Sequence, residues 1–276
     1  MRIVVTGANG YVGPWVTKAL LAQGHAVIGI GRHTPPVLPN GLEWKTIDLL
    51  HSTPEELASL GTPDAVIHLA WQDGFRHNES SHLDNLPVHY HLLEEFAKMG
   101  CSNITAMGTM HEIGYYEGCV DENTPCHPHS LYGVAKNALR EAFFLLEHQY
   151  YFQAKWLRAY YILGDDEKNQ SIFTKIMQWE KEGKATFPFT SGTNQYDFIS
   201  VEQLGKQIAQ AALQNEVTGI INVCSGKPVA LKDQVAAFLE EHHYSIRPEY
   251  GKFPDRAYDS PVIWGDATKI HKIMMM

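Results

Sequence analysis

Tyr132 and Lys136 stand four residues apart, so a helix would carry both on one face. A free phenol titrates near 10 and is a poor base at neutral pH. A neighbouring ammonium favours the phenolate, and an oxidised nicotinamide ring adds further positive charge. Such a tyrosine can donate a proton to a carbonyl that receives hydride, or take one from an alcohol being oxidised. The lysine can also hydrogen-bond a nicotinamide ribose. Thr109, upstream of the pair, offers a hydroxyl that can hold the same substrate oxygen in place. Tyr-x-x-x-Lys recurs by chance in many helices, so the surrounding elements decide its meaning.

The chain opens with a nucleotide-binding signal. Thr6-Gly7-Ala8-Asn9-Gly10-Tyr11-Val12-Gly13 has the spacing GxxGxxG and follows the apolar run Arg2 to Thr6. Gly7, Gly10 and Gly13 permit a tight turn and close backbone approach to a pyrophosphate. Tyr11 and Val12 lead into a helix whose N-terminus favours the anion. The second strand ends in Gly29-Ile30-Gly31-Arg32. NAD-binding folds often place an acid here for the ribose 2′-hydroxyl. Arg32 instead suits a 2′-phosphate, which favours NADP(H) and leaves NAD(H) as the other option. Asp48, with Leu49 beside it, is expected to meet the adenine amino group, and Leu69 and Ala70 to line the cofactor's path.

The elements that must position these residues alternate. Apolar runs at Arg2 to Thr6, Ala26 to Ile30, Trp44 to Ile47, Ala65 to Leu69, Ile104 to Met107 and Lys155 to Ala159 read as strands. Helices are expected over Val12 to Gln23, about 82–99, and Leu131 to Tyr150. Thr53-Pro54-Glu55-Glu56 and Ser200-Val201-Glu202-Gln203 read as capping boxes. The pattern predicts an α/β fold, a Rossmann-type doubly wound parallel sheet with a smaller C-terminal substrate-binding lobe. Residues 1–163 would form the dinucleotide-binding domain, rejoined by a late strand within about 201–224. The lobe would come mostly from 164–276, where regular alternation fades.

Composition narrows the class. A chain of 276 residues suits one large α/β domain or a domain with a smaller lobe. The formal net charge of −9 argues against a nucleic-acid partner. No stretch is apolar enough for a membrane span. The four cysteines form no CxxC pair, and a strand starting at Arg2 leaves no room for a leader, so a cytoplasmic protein is expected. His127-x-His129, His89-x-His91 and His242-His243 lack the i,i+4 spacing of a helical metal site, and no metal is expected.

With these residues in view, nearly the whole chain resembles the extended short-chain dehydrogenases/reductases, the nucleotide-sugar epimerase/dehydratase group. Thr6 to Gly13 is similar to their TGxxGxxG, and Val66-Ile67-His68-Leu69-Ala70 to their fourth-strand motif. Asn85 with Leu92-Leu93-Glu94 resembles their helix motif. Thr109, Tyr132 and Lys136 match the catalytic triad. Leu157-Arg158, Tyr196 to Val201, Ile221 to Gly226 and Gly265 to Ile270 resemble later motifs, in order. The resemblance implies a nucleotide-sugar substrate contacted by Asn85, Met110, His111, Tyr161 and Tyr196. It also implies a homodimer through the helices near 82–99 and 131–150. The second of these is apolar on more than one side, at Val134, Ala138, Phe143, Phe144, Leu145 and Leu146.

Three departures refine the expectation. Sugar dehydratases of the group carry Asp-Glu after the catalytic threonine, whereas this chain has Met110-His111. Methionine cannot protonate a leaving hydroxyl. His111 stands where a keto-sugar epimerase-reductase branch keeps a cysteine acid/base, and it can either move protons or hydrogen-bond the sugar. Tyr161 and Tyr196 replace a family asparagine and a family arginine, the second being a usual diphosphate contact. The chain therefore reads first as an NAD(P)H-dependent reductase of a nucleotide-activated 4-keto-6-deoxy sugar. A 4-epimerase with tightly held NAD is the alternative. A non-catalytic nucleotide-sensing protein is a third reading, opposed by the retained tyrosine and lysine.

Overall fold

The computed structural model describes residues 1–164, 171–254 and 259–276. Arg2–Thr6 (β1) leads through the glycine turn into Gly13–Ala22 (α1), whose first turn holds Pro14, where a missing N–H costs nothing. Ala26–Gly31 (β2), Leu42–Thr46 (β3) and Pro54–Ala58 (α2) follow. Thr53 and Glu56 form the reciprocal cap expected at the start of α2. After Ala65–His68 (β4), the helix expected near 82–99 is split into Ser81–Asp84 (α3) and Leu86–Lys98 (α4). Pro87 cannot donate to the carbonyl four residues back, so the chain breaks at Asn85.

Asn103–Thr109 (β5) ends in a short 3₁₀ turn, Met110–Glu112. Gly118–Val120 (β6) precedes Leu131–Tyr150 (α5), which has the expected bounds. The Ser130 hydroxyl accepts from Gly133 N–H at its start, and Tyr151 closes it in the left-handed region. Then come Gln153–Ala159 (β7), Tyr161–Leu163 (β8), Ile172–Lys181 (α6), Thr186–Pro188 (β9), Gln195–Ser200 (β10) and Val201–Leu213 (α7). The chain finishes with Gly219–Val223 (β11), Pro228–Ala230 (β12), Leu231–Glu241 (α8), Arg247–Glu249 (β13), Val262–Gly265 (β14) and Thr268–Met274 (α9).

The main sheet has the strand order β11-β7-β5-β4-β1-β2-β3, all parallel. The order reverses beside β1, which is where open α/β sheets bind ligands. Alternate residues of β1 face opposite layers. Ile3 and Val5 pack with Val16 and Leu20 of α1 and Leu204 and Ile208 of α7, while Val4 packs with Leu92, Phe96, Leu139 and Phe143 of α4 and α5. The late strand near Gly219 does rejoin the sheet, beside β7.

The C-terminal part is more regular than its sequence suggests. β12, β10, β14 and β6 form a second sheet in that order, with β8 also paired to β10. β9 and β13 form a separate pair. Strands of three to six residues are too short for alternation to stand out. One of them, β6, is contributed from upstream of α5.

Candidate active site

β1, β4 and β5 end at Thr6, His68 and Thr109, and these ends open on a cleft of about 1680 Å³ between the main sheet and the small one. That exceeds the roughly 300–1,000 Å³ of a single small-ligand pocket and leaves room for two ligands.

At one end the glycine turn forms the floor. Gly10 N–H donates to Gly7 O, and Gly7 has a φ of 67°. A Cβ on Gly7 would lie 2.8 Å from Ala70 N, and one on Gly13 would lie 2.3 Å from Gly7 O. Only glycine lets the turn close this tightly. The residues fit a dinucleotide: a Cβ on Gly10 would meet only Gly7 O, so its other side is open toward the cleft. Gly7, Gly10, Tyr11, Val12, Gly13, Arg32, Asp48, Leu49, Leu69 and Ala70 all line this cleft. The Asp48 carboxylate accepts from His51 Nδ1 at 2.9 Å and from Leu50 N–H at 3.2 Å. The His51 hydrogen bond holds its pKa below the ordinary value.

The middle of the cleft gathers Thr109, Tyr132 and Lys136. Tyr132 hydrogen-bonds the Thr109 hydroxyl. The 3₁₀ turn fixes that threonine, because its backbone N–H donates to Glu112 Oε1 at 2.7 Å while its hydroxyl accepts from His111 N–H. Lys136 donates to Met107 O at 2.7 Å and lies 3.8 Å from the Trp71 ring centre. Burial pushes the Lys136 ammonium down to about 7, with Glu112 pulling the other way. Burial also raises the Tyr132 phenol, against the Thr109 hydrogen bond. In the resting site the phenol is governed by burial and by Thr109. The ammonium is engaged at Met107 and Trp71, and desolvation dominates. A phenol held protonated is a proton donor.

Met110 and His111 line the same wall. The His111 ring lies 4.3 Å from that of His77, and burial together with His77 lowers its pKa to about 3. It is neutral at pH 7, which suits hydrogen bonding better than acid catalysis. Glu112 is fully buried and turned away from the cleft, accepting from Thr109 N–H and Trp156 Nε1–H beside Arg158 and Arg140.

At the far end Tyr161 and Tyr196 stack with ring centres 4.2 Å apart, backed by Phe198. Both line the cleft with Phe173, Lys175 and Phe189. Asn85 does not reach it and is corrected as a substrate-contact candidate. Its amide donates to Gln72 Oε1 at the break between α3 and α4. Sequence reading also missed Trp71, His77 and His89, which line the cleft, and His68 behind them. Trp71 follows Ala70 directly in the sequence, whereas the pairing of His68 with Thr6 shows only in the sheet register.

Comparison with known proteins agrees with this geometry. Residues 3–224 match the NAD dependent epimerase/dehydratase family. The chain belongs to that family. It is thus an NAD(P)-dependent oxidoreductase acting on carbon-bound hydroxyl and carbonyl groups, the class the tyrosine–lysine pair implied. Within the family, the chain is 44% identical over 269 residues to dTDP-6-deoxy-L-talose 4-dehydrogenase (NAD(+)) of Aggregatibacter actinomycetemcomitans, covering 96% of this chain and 99% of the other. It is 24% identical over 251 residues to dTDP-6-deoxy-L-talose 4-dehydrogenase (NAD(P)(+)) of Kitasatospora kifunensis, covering 87% and 79%. In fold it is similar to UDP-glucuronic acid 4-epimerase from Bacillus cereus in complex with UDP-glucuronic acid and NAD. The TM-score there is 0.82 at 20% identity, over 100% of this chain and 93% of the other. No helix among the described residues is long and apolar enough to cross a membrane.

Proposed function

We propose that this family member reduces the 4-keto group of a nucleotide-activated 6-deoxy sugar, of the dTDP-4-dehydro-6-deoxyhexose type. The observation that carries the reading is Tyr132 hydrogen-bonded to Thr109, one turn from Lys136, with Met110 and His111 rather than carboxylic acids following Thr109 on the cleft wall. Elimination of a sugar hydroxyl needs a carboxylic acid near that position. Glu112, the nearest in sequence, is buried behind Thr109. The names of the two dTDP-6-deoxy-L-talose 4-dehydrogenases support both the sugar class and the site of reaction.

The bound nicotinamide dinucleotide supplies hydride in this direction and accepts it in the other. Thr109 orients the keto oxygen by a hydrogen bond. Tyr132 gives its phenolic proton to that oxygen as the carbonyl becomes an alkoxide. Lys136 stabilises the phenolate left behind and holds the cofactor's ribose. Tyr161 and Tyr196 offer flat faces for a nucleobase, and Lys175 and Arg76 supply cations at the cleft for the diphosphate. Lys175 would then take over the contact for which Tyr196 lacks a charge.

For the cofactor, Arg32 at the cleft wall supports a 2′-phosphate, whereas the 44% identical relative is named for NAD(+). The proposed enzyme accepts both forms. The exposed Val134 and Leu145 of α5 support a homodimer through that helix, and four free cysteines suit the cytoplasm.

Incubation with dTDP-4-dehydro-6-deoxyhexose and reduced nicotinamide cofactor tests the reading. Stoichiometric loss of NAD(P)H absorbance with formation of the 4-hydroxy sugar is expected. Protein that retains NAD on purification and inverts C4 with no net cofactor turnover would be the epimerase instead.

A further inference from the structure

Trp71 stands at the centre of the catalytic wall. Lys136 Nζ lies 3.8 Å from its ring centre, and the Tyr132 ring meets it edge-on at 6.2 Å. Two histidines hold the indole. His89 stacks on it, with centres 4.3 Å apart and 14° between planes. His82 Nδ1 receives the Trp71 Nε1–H at 3.0 Å, and His82 Nε2 meets Arg76 O at 2.9 Å. An indole N–H can only donate, so His82 must accept at Nδ1 and donate from Nε2.

A second chain of bonds fixes His89. The Thr6 hydroxyl oxygen accepts from Leu69 N–H and Ala70 N–H, both at 3.2 Å. Its own proton then has one place to go, His68 Nδ1 at 2.8 Å. His68 carries its proton on Nε2 and gives it to His89 Nδ1 at 3.0 Å. Protonating either ring would set two hydrogens against each other at an occupied bond. Burial reinforces this, and lowers the His89 pKa to about 3. His68 and His89 are therefore neutral and oriented, and they add no charge beside Lys136. The groups facing Lys136 are then the Met107 carbonyl of β5, Glu112 of the 3₁₀ turn, His68 of β4, His89 of α4 and the Trp71 ring.

We propose that Trp71, clamped by His82 and His89, is a positioning residue that keeps the Lys136 ammonium charged and aimed at the reacting centre. It acts through Lys136 and rests on the role given to that lysine above. The negative face of the indole replaces part of the hydration that the buried ammonium has lost. The clamp stops the indole from turning away.

The test is competitive acetylation of Lys136 in the substrate-free protein as a function of pH, read by mass spectrometry of its peptide. The wild type should show a midpoint near neutrality. Trp71→Leu should lower that midpoint by roughly one pH unit, the size of a desolvated cation–π contact. Trp71→Phe should recover most of the shift. The alkaline limb of kcat/KM should move in parallel. His82→Phe keeps the indole but removes its anchor, and should shift the midpoint the same way by less. An unmoved midpoint in a cooperatively melting Trp71→Leu overturns the proposal. Should that variant not fold, an unmoved midpoint in His82→Phe does so. The labelling needs no substrate, so failure of the keto-sugar assay would leave this result standing.

Discussion

The two walls of the cleft hold their side chains in different ways. The wall formed by β1, β4, β5 and α5 is anchored on β5, paired with β7 at every position from Asn103 opposite Gln153 to Thr109 opposite Ala159. Each of its working groups has fixed partners: Thr109 to Glu112, Lys136 to Met107, His68 to Thr6. The facing wall, around Tyr161 and Tyr196, is built on β8 and β10, which share only three paired positions. Its rings stack, and the Tyr196 hydroxyl also accepts from Asn194 Nδ2 at 3.0 Å. The first wall can hold reacting atoms to fractions of an ångström. The second can adapt to the outline of a base or sugar. Under the proposed function, chemistry falls on the first wall and specificity on the second.

Mutations should respect that division. Tyr132→Phe removes the proton donor and should lower kcat by about a thousandfold, the scale of general acid catalysis, with an unchanged melting curve. A residual rate within tenfold of wild type would mean that the first wall does not carry the chemistry. Gly13→Ala forces a methyl group against Gly7 O, so cofactor binding should be largely lost and stability should fall by about 1–3 kcal/mol. Calorimetric titration with NADH and thermal melting would show both.

Lys136 offers a pH-dependent probe of the same wall. Its pKa is lowered to about 7 from an ordinary 10.5, so between those values the unfolded chain binds more protons than the native one. Native stability therefore gains from this site as pH rises through that window. Lys136→Met should melt above wild type at pH 7, and the gap should narrow towards pH 10. A constant gap would show that the lysine titrates normally.

Changes on the facing wall should be smaller and of another kind. Tyr161→Leu should raise KM for the nucleotide sugar up to about tenfold and leave kcat within about twofold, because one stacking partner is lost and no reacting group moves. A large fall in kcat would dissolve the distinction between the walls. Arg32→Ala, at the cofactor end, should weaken NADPH binding several-fold and leave NADH nearly unaffected. Fluorescence titration with both cofactors would reveal equal effects if Arg32 ignores the 2′-phosphate.

The same contrast explains what could be read from the residues alone. The first wall was legible because buried parallel strands leave unbroken apolar runs and because Tyr132 and Lys136 share a helical turn. The glycine turn was legible because backbone closeness permits one residue type. The split at Asn85 was within reach through Pro87. The small sheet was not legible, since Pro228–Ala230 and Gly118–Val120 are too short for periodicity and pair with strands far away in the chain. Trp71, His82 and His89 escaped notice because their importance lies in which ring nitrogen meets which partner, which spacing does not encode.

The small edge strand β6 limits how the molecule can be recombined. Gly118–Val120 completes the second sheet beside Val262–Gly265, and Val120 O accepts from Asn222 Nδ2 and Asp266 N–H. A chimera that exchanged everything after residue 164 to import a new sugar preference would receive a sheet with its edge supplied by the old parent. The transplantable unit is discontinuous: loop 113–130 must travel with the C-terminal half. Grafts that include both pieces should fold and acquire the donor's preference more often than grafts cut at a single junction.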